Sequence, residues 1–132
     1  MALIEAATVG LVGYYAIDDD HQEFVSLLNQ LDVANNADFP ALFRQLFEHT
    51  EQHFARENQL MQDYGFPAED AHKGEHMRIL GEFKQFQSKV DKGMVAFGRL
   101  FVREVLPQWF MLHTATMDNA LAAYMRTVSN VG

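Results

Sequence analysis

The chain has 132 residues, no cysteine and a formal net charge of −8. That length suits one domain with a hydrophobic core of its own, here read as residues 1–132. The composition excludes disulfides, thiolate zinc sites and cysteine nucleophiles, and its ten scattered basic residues make no phosphate-binding stripe, so nucleic acid is not an expected partner.

Residues 1–17 read as an N-terminal arm and residues 18–126 as the body of the domain. The opening "MALIEAATVGLVGYYAIDDD" lacks the basic start of a signal peptide, and its apolar run is broken by Glu5 and two glycines. No apolar run approaches the ~20 residues of a membrane span, so a cytoplasmic protein is expected. The first predicted helix runs from about Asp19 to Val33, with Phe24, Leu27, Leu28 and Leu31 at i, i+3, i+4 and i+7. "ANNADFP" is a turn in which Asp38 is expected to cap the next helix and Pro40 to sit in its first turn. That second helix runs to about Asp63, where Gly65 and Pro67 end it. The third spans about Ala68 to Val90 and the fourth about Met94 to Met125, with Pro107 expected to kink or split it. Short connections make consecutive helices antiparallel. The expected fold class is all-α, an up-down-up-down antiparallel four-helix bundle with an N-terminal arm.

The six histidines are His21, His49, His53, His72, His76 and His113. Each predicted helix carries at least one. His53 and Glu57 are i, i+4, as are His72 and His76, so each pair shares a helix face. His113 and Asp118 are i, i+5, about 140° apart on a regular α-helix, so Asp118 has to reach sideways to join its partner. A single histidine on an amphipathic helix is ordinarily a surface or satisfied core residue. Here the neighbours are Phe54, Met77 and the apolar "WFMLHTATM". Burying several imidazoles and two carboxylates costs several kcal/mol unless they are paired or bind metal. Five or six imidazoles with two carboxylates exceed one tetrahedral zinc, and the shortage of oxygen ligands disfavours calcium and magnesium. Two adjacent iron-type ions use the whole set. A histidine-rich, carboxylate-poor site favours reversible binding over oxygen activation.

The segments "IDDDHQEFVSLLNQL", "HFARENQLM", "YGFPAEDAHKGEH" and "WFMLHTATMD" together resemble the hemerythrins, specifically the single-domain bacteriohemerythrins, over roughly residues 17 to 124. The resemblance implies a bundle around a non-haem di-iron centre that binds dioxygen reversibly, as carrier, store or sensor, with no turnover. Carried over by position, one iron takes His72, His76 and His113, and the other takes His21 and His53. Glu57 and Asp118, with an oxo or hydroxo group, bridge the two iron ions. The second iron then keeps a position for dioxygen.

Four departures from the family pattern matter. Asn58 stands where a second Glu is common and is expected to face away from the metal. Thr114 replaces an Ile after the fourth-helix histidine; if it faces the pocket, it contacts bound oxygen or admits water. The usual N-terminal Trp is absent, and Tyr14 or Tyr15 is expected in its place. His49 is extra, read as a surface residue or an outer contact of the site rather than a ligand. Trp109, one turn before His113, reads as core packing or as a wall of the pocket. Competing readings are a di-iron enzyme on the same site, such as a peroxidase or a nitric-oxide-handling protein, and a structural bundle holding zinc or one iron. An oxidase or signalling partner is not legible.

Overall fold

The computed structural model of the protein describes residues 12–128, which form four helices and no strand. We label them α1 (Tyr15–Val33), α2 (Phe39–Tyr64), α3 (Glu69–Asp91) and α4 (residues 95–128). The fourth is regular at Val95–Leu100, Leu106–His113 and Asn119–Val128, and widens to π-helical turns at Phe101–Val105 and Thr114–Asp118. Neighbours in sequence pack as neighbours in space, α1 on α2, α2 on α3 and α3 on α4.

The helix ends follow local chemistry. Gly65 closes α2 with φ of 63°, a left-handed conformation that glycine adopts without a Cβ clash, and the Phe66 N–H then donates to the Met61 carbonyl at 3.0 Å. Pro40 lies in the first turn of α2, as expected. Asp38 precedes that helix but does not cap it: its backbone is already helical, with φ −89° and ψ −21°, and its carboxylate makes no cap bond. A capping side chain needs an extended backbone to reach the free N–H groups. Asp38 instead donates its own N–H to the Asn35 side chain at 2.9 Å.

Pro107 neither breaks nor splits α4. The π-helical turn just before it absorbs the missing N–H, with the Leu106 N–H reaching back five residues to the Phe101 carbonyl. Helix α1 begins four residues earlier than its apolar pattern implies, because Tyr15 is 83% exposed and leaves no periodic mark. Of the expected arm, residues 1–11 lie outside the described residues. Val12 and Gly13 donate backbone N–H groups to the Asp18 carboxylate at 2.8 and 3.1 Å, and Arg126 donates to the Val12 carbonyl. Tyr14, not Tyr15, packs inward.

Two apolar clusters fill the interior. The larger gathers Phe24, Leu28, Phe39, Phe43, Phe83, Phe101 and Phe110. Each such buried side chain contributes roughly 1.5–3 kcal/mol relative to exposure. The smaller gathers Ile17, Met61, Phe66, Leu121 and Met125. Gly98 lets α4 approach the larger cluster closely: a Cβ would lie 2.5 Å from Val90 and 2.7 Å from Phe39. On α1 His21 falls between Ile17 and Phe24, on α2 Glu57 between Phe54 and Met61, and on α4 His113 and Asp118 between Phe110 and Leu121. The polar layer therefore lies between two apolar ones.

Candidate metal centre

His21, His53, Glu57, His72, His76, His113 and Asp118 are all buried, none more than 4% exposed. They fall into two groups, Glu57 with His72, His76, His113 and Asp118, and His21 with His53, Glu57 and Asp118. In each group the candidate ligand atoms lie within 4.8 Å of one another. All five imidazoles turn Nε2 inward.

The carboxylates divide their oxygens between the groups. Glu57 sets Oε1 at 3.3 Å from His72 and 3.2 Å from His76, and Oε2 at 2.5 Å from His53. Asp118 sets Oδ1 at 3.1 Å from both His72 and His113, and Oδ2 at 2.8 Å from His21. Several of these close atoms make no hydrogen bond among the described residues, namely Nε2 of His72, His76 and His113, Glu57 Oε1 and Asp118 Oδ1. Donor and acceptor atoms that lie this close without hydrogen-bond angles are left for another partner to satisfy. Buried orphans of this kind cost about 1–3 kcal/mol each, more for charged groups, unless something satisfies them. A cation bound by nitrogen and oxygen donors does so, and a mixed imidazole–carboxylate set suits iron.

The electrostatics fit a cation site. Burial alone would raise the Glu57 carboxyl, but the charge and close contacts of His53, with His72 and His76, hold it well below its usual range. Burial and the neighbouring Glu57 would likewise raise Asp118, and His113, His21 and His72 reverse that. Burial works against a charged His72, yet Asp118 and Glu57 push it up to about 9. His76 moves the other way, lowered chiefly by burial. Two ionised carboxylates thus sit among imidazoles whose protons a metal would displace.

Local structure explains each placement. His53 and Glu57, and His72 and His76, meet through regular i, i+4 spacing on α2 and α3. His113 and Asp118 meet by a different route from the sideways reach expected of Asp118. The π-helical turn at Thr114–Asp118, closed by the Asn119 N–H on the Thr114 carbonyl, holds one extra residue per turn and brings i+5 onto the face of i.

Around this layer the aromatic rings stack. Phe54 lies on His76 with centroids 3.9 Å apart and planes 6° from parallel, and Trp109 lies on His113 at 4.6 Å and 16°. Trp109 is therefore a wall of the site as well as a packing residue. Its indole N–H donates to Glu75 at 2.8 Å, and Arg78, with that indole, holds the Glu75 carboxyl down to about 2. A cleft of about 220 Å³ runs beside Glu75, Trp109, Leu112 and His113. Thr114 is buried with a hydroxyl that has no partner among the described residues, whereas Thr50 and Thr116 bond back to the carbonyls four residues earlier.

His49 is outside both ligand groups. Its Nδ1 meets Glu23 at 3.2 Å and its Nε2 the Asp20 carbonyl at 3.2 Å, and its ring centroid lies 6.1 Å from that of His53. Arg56 grips the Asp20 carboxylate with two nitrogens, at 2.5 and 3.1 Å, tying the turn that carries His21 to α2. Sequence reasoning missed this clamp, for which "IDDDH" offered only an acidic run. Asn58 does not face away from the site as expected: its Oδ1 lies 2.9 Å from His76 Nδ1, because position 58 on α2 looks across to α3.

A helical bundle with shared carboxylates and converging imidazoles in its core defines a metal-binding four-helix protein. The profile of the Hemerythrin HHE cation binding domain matches residues 12–125. The chain is 34% identical to a bacteriohemerythrin of Ralstonia nicotianae, covering 95% of this chain and 90% of that one. It is 32% identical to a bacteriohemerythrin of Aquifex aeolicus, covering 91% and 95%. A crystal structure of a hemerythrin mutant superposes with a TM-score of 0.83 at 25% identity, over 94% of this chain and 98% of that one. The chain belongs to the hemerythrin family.

Proposed function

We propose that this protein binds dioxygen reversibly at a pair of non-haem iron ions. The observation that carries this reading is the division of each carboxylate, one oxygen of Glu57 and of Asp118 toward each imidazole group. We assign His72, His76 and His113 to one ion and His21 and His53 to the other. Glu57 and Asp118, each with one oxygen toward each imidazole group, would be held in common by the two ions. An ion on the side of His21 and His53 would have fewer protein donors than its neighbour.

A ferrous pair, when bound, supplies the electrons that dioxygen draws on reversibly. The protein's own residues supply the setting. The carboxylates stay ionised and balance the cations, and the inward Nε2 atoms orient the donors. Phe110 stands edge-on to His21 at 5.4 Å and stacks on Phe24 at 4.4 Å, sealing the two-imidazole side from water. Among the described residues no helix is long and apolar enough to cross a membrane. The cysteine-free composition suits a reducing cytoplasm, and we read the chain as a single domain of this kind.

The test is an absorption spectrum of reduced, iron-loaded protein before air, after air and after purging with argon. A new charge-transfer band that bleaches on purging is expected. Direct, irreversible conversion to a ferric form, even on rapid mixing, overturns the reading.

A further inference from the structure

We propose that Asn58 is the positioning residue for His76, and that as a neutral acceptor it tunes the metal centre toward its reduced state; this rests on the reading that His76 is a ligand. The two residues face each other across α2 and α3, with Asn58 Oδ1 at 2.9 Å from His76 Nδ1. A neutral imidazole carries one proton, and an amide oxygen can only accept. The contact therefore places the proton on Nδ1 and leaves the Nε2 lone pair aimed into the site, 3.2 Å from Glu57 Oε1.

Consecutive residues of α2 thus grip the two ends of one ring. Glu57 faces the inner nitrogen and Asn58 the outer one, while Phe54 stacks on the face at 3.9 Å. His76 differs in this from the other four imidazoles. The Nδ1 atoms of His21, His53, His72 and His113 have no hydrogen-bond partner among the described residues.

The partner of a ligand's remote N–H fixes the tautomer and sets the basicity of the ring. A carboxylate in that place draws the Nδ1 proton and makes the imidazole a stronger donor, which favours the ferric ion. The neutral Asn58 amide holds the ring with less of that pull. Position 58 therefore joins ring orientation to redox poise, and the chain's choice of amide favours the ferrous form that precedes ligand binding.

Three variants test this, Asn58→Leu, Asn58→Asp and His76→Ala. Asn58→Leu keeps the volume and removes the acceptor, and is expected to weaken iron binding about 10- to 100-fold in competition with a chelator. Asn58→Asp is expected to retain iron as the parent does and to shift the ferric–ferrous midpoint downward. Nitrogen-15 NMR of the metal-free protein reads the ring directly. His76 should be a single Nδ1–H tautomer in the parent and a mixture in Asn58→Leu. Parent-like affinity and tautomer in Asn58→Leu overturn the positioning role, and an unchanged or raised midpoint in Asn58→Asp overturns the tuning. Should Asn58→Leu fail to fold by circular dichroism, the tautomer of the parent and the midpoints of the parent and Asn58→Asp decide alone. A full iron complement in His76→Ala removes the ligand reading itself. Iron loss there with parent-like Asn58→Leu removes only the present proposal.

Discussion

Glu57 and His53 stand one turn apart on α2 and meet at 2.5 Å, yet the other oxygen of Glu57 faces His72 and His76 on α3. One carboxylate thus serves both halves of the centre, and Asp118 does the same from α4. Removing a shared group should cost more than one ion. Glu57→Ala and Asp118→Ala, purified after loading under reducing conditions, are each expected to retain fewer than one iron per chain, against about two in the parent. Iron analysis that finds a full complement in either variant contradicts the bridging role.

His49 lies next to His53 but spends both nitrogens on Glu23 and the Asp20 carbonyl. His49→Ala should therefore leave the iron count unchanged. Its cost should be a surface-scale loss of stability, about 1 kcal/mol for one hydrogen bond. Loss of iron in this variant would promote His49 to ligand.

Metal binding should stabilise the bundle strongly, because the converging donors are unsatisfied without it. Ligand at 100 times its dissociation constant adds about 2.7 kcal/mol to stability. Thermal melts with and without a chelator are the measurement. Coincident melting curves would place the ligands outside the cooperative core.

Loading should also release protons. In the metal-free fold Asp118 and Glu57 overcome burial and keep His72 protonated up to about 9. The ion requires the neutral ring, so ferrous binding at pH 7 displaces that proton. The release should fade as the pH is raised through 9, where the ring is already neutral. Calorimetry in buffers of different ionisation enthalpy reads the number released. Binding at pH 7 without proton release would contradict this.

Thr114 buries a hydroxyl beside His113 that finds no partner among the described residues. A polar atom there attracts water, which hastens oxidation of a ferrous centre. Thr114→Ile should lengthen the lifetime of the oxygenated form several-fold at unchanged iron content, followed by its absorption band over time. A shortened lifetime would show that the hydroxyl protects rather than exposes.

Much of this protein is written in periodicities a reader can count. Phe24, Leu28 and Leu31 mark the inner face of α1, and Gly65 and Pro40 mark helix ends, because these signals act within a few residues. The pairs His53–Glu57 and His72–His76 were legible for the same reason, since regular helix geometry alone puts i and i+4 on one face. His113 and Asp118 resisted that reading. Their spacing suits a regular helix poorly, and the π-helical turn that aligns them leaves no mark in the spacing of apolar residues. The tolerance of Pro107 rests on another such turn. Asn58 and Arg56 found their roles only in three dimensions, because His76 and Asp20, their partners, lie on other helices. Local spacing determined which residues share a face; which faces meet, and which oxygen turns to which imidazole, was decided by the burial of two apolar clusters on either side of one polar layer.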